Sequence, residues 1–270
     1  MPAVRPAAVA GMFYPEAPRA LAAGVRAYLG GAARPAQGAA RPKALIVPHA
    51  GYVYSGPIAA SAYTRLAAES DAIGRVVLFG PAHRAPVRGL ALPSAHAFAT
   101  PLGTVEVDRD AVACALALPQ VQRNDAAHAL EHSLEVQLPF LQTVLRQFRI
   151  VPFAVGDATP AQVAEVIELL WDGPETLIVI SSDMSHYHCY AEARQIDRAT
   201  ADAVLALSAT LEHEQACGAT PINGLLMAAR RRGLRPELLD LRNSGDTAGD
   251  KSRVVGYASF AFGEVTHDRA

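Results

Sequence analysis

The hydrophobic positions of the chain come in two rhythms that alternate along it. Runs that are almost entirely apolar occur at 44–47, 75–79, 150–155, 176–180 and 254–262, with a shorter one at 238–241 that contains Asp240. Such runs, lacking polar alternation, predict strands buried on both faces. Between them lie segments that read as helices, at 58–68, 108–117, 128–146, 161–170, 190–207 and 221–232. A first helix is predicted over 16–29, where Leu21, Val25, Tyr28 and Leu29 recur at helical spacing. Residues 89–107 read as short strands and turns around Thr100, Pro101, Leu102 and Gly103. The stretch 30–42, GGAARPAQGAARP, is featureless and punctuated by Gly and Pro. It is expected to be an exposed loop and not a domain boundary, because too little precedes it to fold alone. The pattern therefore predicts one α/β domain over residues 1–270, with a central parallel or mixed sheet and helices on both faces.

Composition narrows the functional classes. Hydrophobic residues make up 51% of the 270 and charged residues 19%, which supplies a core and excludes a disordered chain. Basic and acidic residues nearly balance, 24 against 26. That leaves no whole-chain footprint for nucleic acid or an anionic membrane. No window approaches a span of about 20 apolar residues, and Pro2, Pro6 and Pro15 interrupt the N-terminal stretch, so neither a membrane segment nor a leader is expected. Cys114, Cys189 and Cys217 are odd in number and far apart, which fits a reducing compartment better than a disulfide framework. A cytoplasmic protein is the expectation.

The chemistry concentrates where strands end. Strand 44–47 runs into His49, strand 75–79 into His83, and strand 176–180 into Asp183 and then His186. In open α/β sheets ligands bind beyond the carboxyl ends of the strands, so parallel neighbours would bring these side chains to one edge. A single histidine there reads as a surface loop residue; three strands ending alike point to a shared site. Neutral imidazoles so placed suit a transition metal. Cys217 either adds a thiolate or is a small buried residue near a helix start. Cys114, among alanines, is assigned to the core.

A rival motif lies at His128-Ala129-Leu130-Glu131-His132, which fits the zinc pattern H-x-x-E-H. On one helix His128 and His132 would share a face, with Glu131 and Glu135 near it, as a zinc metalloprotease requires. No third ligand is signalled, and a polar helix face packed against the site explains the same residues. GDTAGDKS, from Gly245 to Ser252, lacks the glycine spacing of a phosphate loop, and no G-x-S-x-G elbow is present. Ser181 and Ser182 read as capping the turn through local backbone bonds.

These segments together carry a resemblance. RPAAVAGMFYP from Arg5 to Pro15, VPHAGYVYSGPIAASAY from Val47 to Tyr63, GPAHR from Gly80 to Arg84 and FATPLGTVEVD from Phe98 to Asp108 resemble blocks of the Memo family, in bacteria called AmmeMemoRadiSam system protein B. EHSLEVQLPFLQ from Glu131, ISSDMSHY from Ile180, ACG from Ala216 and VVGYASFAF from Val254 follow in order, so the resemblance covers essentially the whole chain. It implies a fold similar to the class III extradiol dioxygenases, which use non-haem Fe(II). It further implies a metal pocket held by His49, His83 and Cys217, with Asp183 and His186 lining it and His186 as the acid/base residue.

In the dioxygenases two histidines and a carboxylate hold the iron; here Cys217 takes the carboxylate's place. A thiolate is softer, so Cu(I) or Zn(II) joins Fe(II) as a candidate ion. Two functions follow from the resemblance. One is a metal-dependent redox enzyme of unassigned substrate; the other is a non-catalytic metal- or ligand-binding protein acting in metal handling or partner assembly. In bacteria the resemblance also implies an AMMECR-type protein and a radical SAM enzyme as partners.

Overall fold

The computed structural model describes residues 3–34 and 41–264. Its first elements are the short strand β1 (Val4–Arg5) and helix α1 (Pro18–Gly31), which buries Leu21 and Val25. Strand β2 (Ala44–Val47) leads into helix α2 (Tyr52–Tyr63), and β3 (Arg75–Pro81) follows. The region expected to hold short strands contains β4 (Leu90–Leu92), β5 (Ala97–Thr100) and β6 (Gly103–Glu106). Next come α3 (Arg109–Ala115), β7 (Val121–Arg123), α4 (Asp125–Ala129), α5 (Leu138–Val144) and β8 (Arg149–Val155). Helix α6 (Pro160–Leu169) opens with a capping box between Thr159 and Gln162 and precedes β9 (Thr176–Ser181). The chain then forms β10 (His186–His188), α7 (Tyr190–Leu205), α8 (Ala219–Arg232), β11 (Arg235–Asn243) and β12 (Val254–Gly263).

Among the described residues nine strands form one mixed sheet in the order β10–β12–β2–β9–β3–β8–β4–β7, with β11 paired to β12. The four central strands β2, β9, β3 and β8 are parallel, and every residue of β2 and β9 is buried. This is the uninterrupted apolar pattern of a sheet covered on both faces, and helices do cover both. Because β2, β3 and β9 run the same way as direct neighbours or one strand apart, their carboxyl ends share an edge. A second sheet, β1–β5–β6, joins the N-terminal residues to the body of the molecule.

Three expectations need correction. The helix predicted over 128–146 is broken: α4 stops at Ala129, residues 130–134 form no helix, and α5 starts only at Leu138. Pro139 lacks an amide hydrogen and fits the first turn of a helix but not its interior. Cys114 is exposed and not in the core, since α3 buries Ala111, Val112 and Ala115 on its other side. Of the loop expected at 30–42, residues 35–40 lie outside the described residues; Gly30 and Gly31 close α1, and Pro42 is buried ahead of β2. No helix among the described residues is long and apolar enough to cross a membrane.

Candidate metal centre

At the carboxyl edge of β2, β3 and β9 lies a cavity of about 510 Å³, lined among others by His49, His83, His132, Asp183, His186 and Cys217. Each side chain arrives from a separate segment. His49 follows β2, His83 follows β3, Asp183 follows β9, His186 opens β10, and Cys217 immediately precedes α8. The break after α4 delivers His132.

One ring nitrogen from each of His49, His83 and His132 lies within 4.8 Å of the other two. The rings pack edge-on or stacked, with centroids 4.7–5.3 Å apart. Two of the three tautomers follow from their hydrogen bonds. The Ser133 carbonyl accepts the only hydrogen of the Ser181 hydroxyl at 2.6 Å, and Gln137 Nε2 donates at 2.8 Å to the Ser181 hydroxyl oxygen. His49 Nδ1, 2.9 Å from that oxygen, must therefore carry the proton, which leaves an unshared pair on Nε2. His83 Nδ1 is 2.9 Å from the Glu131 carboxylate, an acceptor, so Nδ1 carries a proton and Nε2 is the nitrogen left for an ion.

Glu131 also accepts the backbone amides of His83, His132 and Ser133. Burial alone would raise its carboxyl, but the His83 hydrogen bond and these amides hold it down to about 2. His132 Nδ1 is 3.3 Å from Glu131 Oε1 without hydrogen-bond alignment, and it is buried with no hydrogen-bond partner among the described residues. Burial holds His132 down to about 4, and burial together with its two neighbours holds His49 well below the ordinary imidazole range. The site thus gathers three imidazoles, of which His49 and His132 resist protons and His132 has an orphaned nitrogen, and this donor set fits a transition-metal ion.

Cys217 stands beside this group. Its Sγ is 3.3 Å from His49 Nε2, so the thiol donates to the free lone pair, and the separation is close to that of two ligands sharing one ion. Burial first, and the Asp183 carboxylate second, push the thiol up to about 12. Asp183 and His186 are joined by an irregular stretch, since residues 182–185 are not helical. Its carboxylate accepts the His49 amide at 2.7 Å and reaches to 4.0 Å from His49 Nε2. Burial raises it to about 7 against the pull of the His49 and Ala50 amides. Burial lowers His186. Between His186 and His188 the pairing with β12 shifts register, and Tyr187 takes a left-handed backbone, φ 64°, with its ring exposed.

Two glycines admit these segments. A Cβ on Gly80 would meet Ser133 Oγ at 2.6 Å, and one on Gly218 would meet Ser182 Cβ at 2.7 Å. Only glycine lets the 131–134 segment lie on the end of β3 and lets Cys217 approach the end of β9. Gly80→Ala is expected to destabilise the protein by about 1–3 kcal/mol through overpacking, read as a lowered midpoint in urea unfolding. An unchanged midpoint would show that the segment yields freely.

His49, His83, Asp183, His186 and Cys217, all expected from sequence, meet around one cavity. His128 does not join them: its Nε2 bonds the Ala91 carbonyl, it is fully buried, and it shares no helix face with His132. The zinc-protease arrangement is therefore not formed. The additions are His132 as a converging donor, Glu131 as the partner of His83, and Ser181 as the partner of His49 in place of a local cap.

An α/β protein with a histidine-rich pocket at the carboxyl edge of its sheet is the class this arrangement defines. The profile of the family described as Memo-like protein matches residues 5–261, and the chain belongs to that family. A MEMO1 family protein of Methanothermobacter thermautotrophicus is 37% identical over 275 residues, covering 94% of this chain and 99% of the relative. One from Aquifex aeolicus is 36% identical over 271 residues, covering 96% and 99%. Among solved structures, an uncharacterized protein of Escherichia coli K12 is similar with a TM-score of 0.54 at 15% identity, covering 83% of this chain and all of that one, which shows a shared fold.

Proposed function

We propose that this protein is a mononuclear transition-metal protein with a dioxygenase-like pocket, and that it acts as a metal-dependent redox enzyme on a small molecule. The observation that carries the reading is the convergence of His49, His83 and His132 within 4.8 Å at an open cavity. His49 and His83 would bind through Nε2, His132 would complete the nitrogen set, and Cys217 would add sulfur on the His49 side. Fe(II) is the expected ion, with Cu(I) and Zn(II) as alternatives; when bound, it would supply Lewis-acid and redox chemistry.

The remaining residues move protons. Asp183, raised to about 7 by burial, holds or releases a proton at its carboxylate near neutral pH. His186 lines the same cavity and is lowered by burial, so its ring is free to accept a proton from a bound hydroxyl. A second reading, metal handling without turnover, draws on Cys217 Sγ at 3.3 Å from His49, since a sulfur donor favours Cu(I). Partnership with an AMMECR-type protein and a radical SAM enzyme is proposed on the resemblance alone.

Anaerobic purification followed by elemental analysis tests the reading. About one ion per chain is expected, followed by oxygen consumption with catechols or small-molecule extracts. Stoichiometric metal without turnover would favour metal handling. Failure to retain Fe(II), Cu(I) or Zn(II) after anaerobic loading would overturn both.

A further inference from the structure

The ring of His132 is held differently from its two neighbours. His49 and His83 each have Nδ1 hydrogen-bonded, to Ser181 and to Glu131, whereas His132 Nδ1 has no such bond among the described residues. Glu131 Oε1 lies 3.3 Å from that nitrogen out of hydrogen-bond alignment, and packing fixes the plane of the ring. Phe13 lies against it with ring centroids 4.6 Å apart, on the side of the N-terminal segment.

That segment is tied down at every step. Gly11, at φ 80°, forms a tight turn in which Gly11 donates to the Tyr14 carbonyl, and Met12 and Phe13 donate to Val9. The Phe13 carbonyl accepts the Tyr52 amide at 2.8 Å. Glu135, fully buried three residues after His132, accepts from Arg5 Nη1, the Ala8 and Val9 amides and the Tyr14 hydroxyl.

Arg5 completes the grip. Its guanidinium is fully buried and donates Nη2 to the Glu131 carbonyl and Nε to the His128 carbonyl, both at 2.6 Å. The first of these is the peptide bond that leads directly into His132. A planar fork reaching a carboxylate and two carbonyls at fixed angles is a task for arginine that lysine cannot reproduce.

We propose that Phe13 and Arg5 are positioning residues through which the N-terminal segment orients His132 and thereby sets the affinity of the site for its ion. Neither is a ligand. The inference rests on His132 being a donor, and the experiment separates the two claims.

Co(II) serves as the probe, titrated anaerobically into the full chain and followed by its visible spectrum, with thermal unfolding in parallel. Phe13→Ala is expected to weaken binding by about 10-fold or more and to alter the Co(II) spectrum, as loss of an orienting contact does. Phe13→Tyr, which keeps the ring, retains wild-type affinity. Arg5→Lys, which keeps the charge but not the fork, weakens binding in the same direction. The decisive arm is the double variant: Phe13→Ala added to His132→Ala causes no further loss, because Phe13 acts only through that ring.

Equal weakening by Phe13→Ala in both backgrounds would mean a general packing role and would overturn the proposal. Wild-type affinity in Phe13→Ala, with His132→Ala impaired, would overturn it while leaving His132 a donor. Wild-type affinity in His132→Ala would remove the donor reading and this proposal with it.

Discussion

Replacing His132 by alanine is expected to weaken metal binding by more than about 100-fold, whereas His128→Ala, four residues earlier, leaves affinity unchanged. Losing a group that merely orients a ligand commonly costs about 10–100-fold, so losing the ligand itself costs more. His83→Ala and His49→Ala belong with His132→Ala. Glu131→Gln is expected in the 10–100-fold band, because the amide replaces a carboxylate that accepts the His83 ring proton and three backbone amides. His128 is different in kind. Its ring is buried edge-on to Phe98 and bonds the Ala91 carbonyl, so His128→Ala lowers the unfolding temperature without touching the site. Isothermal titration with Fe(II) under argon, run beside thermal melts, reads both quantities. Binding lost with His128 and kept with His132 would restore the H-x-x-E-H arrangement and sink this site.

That contrast also marks where sequence reading stops. The strand-end residues were legible because a run buried on both faces has one direction and one end, and a polar residue just past it has one edge to occupy. His49, His83 and Asp183 follow from that alone, and the sheet order brings them together. His132 does not follow. A helical period through 128–146 pairs it with His128 on one face, which the broken helix does not do, and only Pro139 hints that the helix restarts late. What holds the break is partly tertiary: Glu131, whose carboxylate turns back onto the His132 and Ser133 amides, is also bonded to the distant His83, and Gly80 leaves room for Ser133. Ser181 was legible only as a local cap, because its partners Ser133 and Gln137 are distant in sequence. Asp183 was legible as lining the pocket with His186, but its bonds run to the amides of His49 and Ala50, which local spacing does not encode.

Metal affinity is expected to rise by about tenfold per pH unit from about pH 7.5 to about pH 9, and to be flat over the same range in Cys217→Ser. The sign follows from which donors still carry a proton before the ion arrives. Burial, with the neighbouring rings, keeps His49 well below the ordinary imidazole range, and burial holds His132 down to about 4, so neither has a proton to release above neutral pH. Cys217 is the opposite case. Burial ahead of the Asp183 carboxylate pushes its thiol up to about 12, so throughout the window the sulfur is protonated and bonded toward His49 Nε2. Binding as a thiolate must expel that one proton, and mass action then favours the complex as protons become scarce. A water on the ion that loses its own proton would add to the slope in both proteins, so the difference between wild type and Cys217→Ser is the quantity that counts. Competition against a chelator of known proton linkage measures it, and a thiolate-to-Co(II) charge-transfer band gives an independent reading. Parallel pH profiles, with no such band in the wild type, would remove Cys217 from the ligand set and leave the three histidines as the whole of the site.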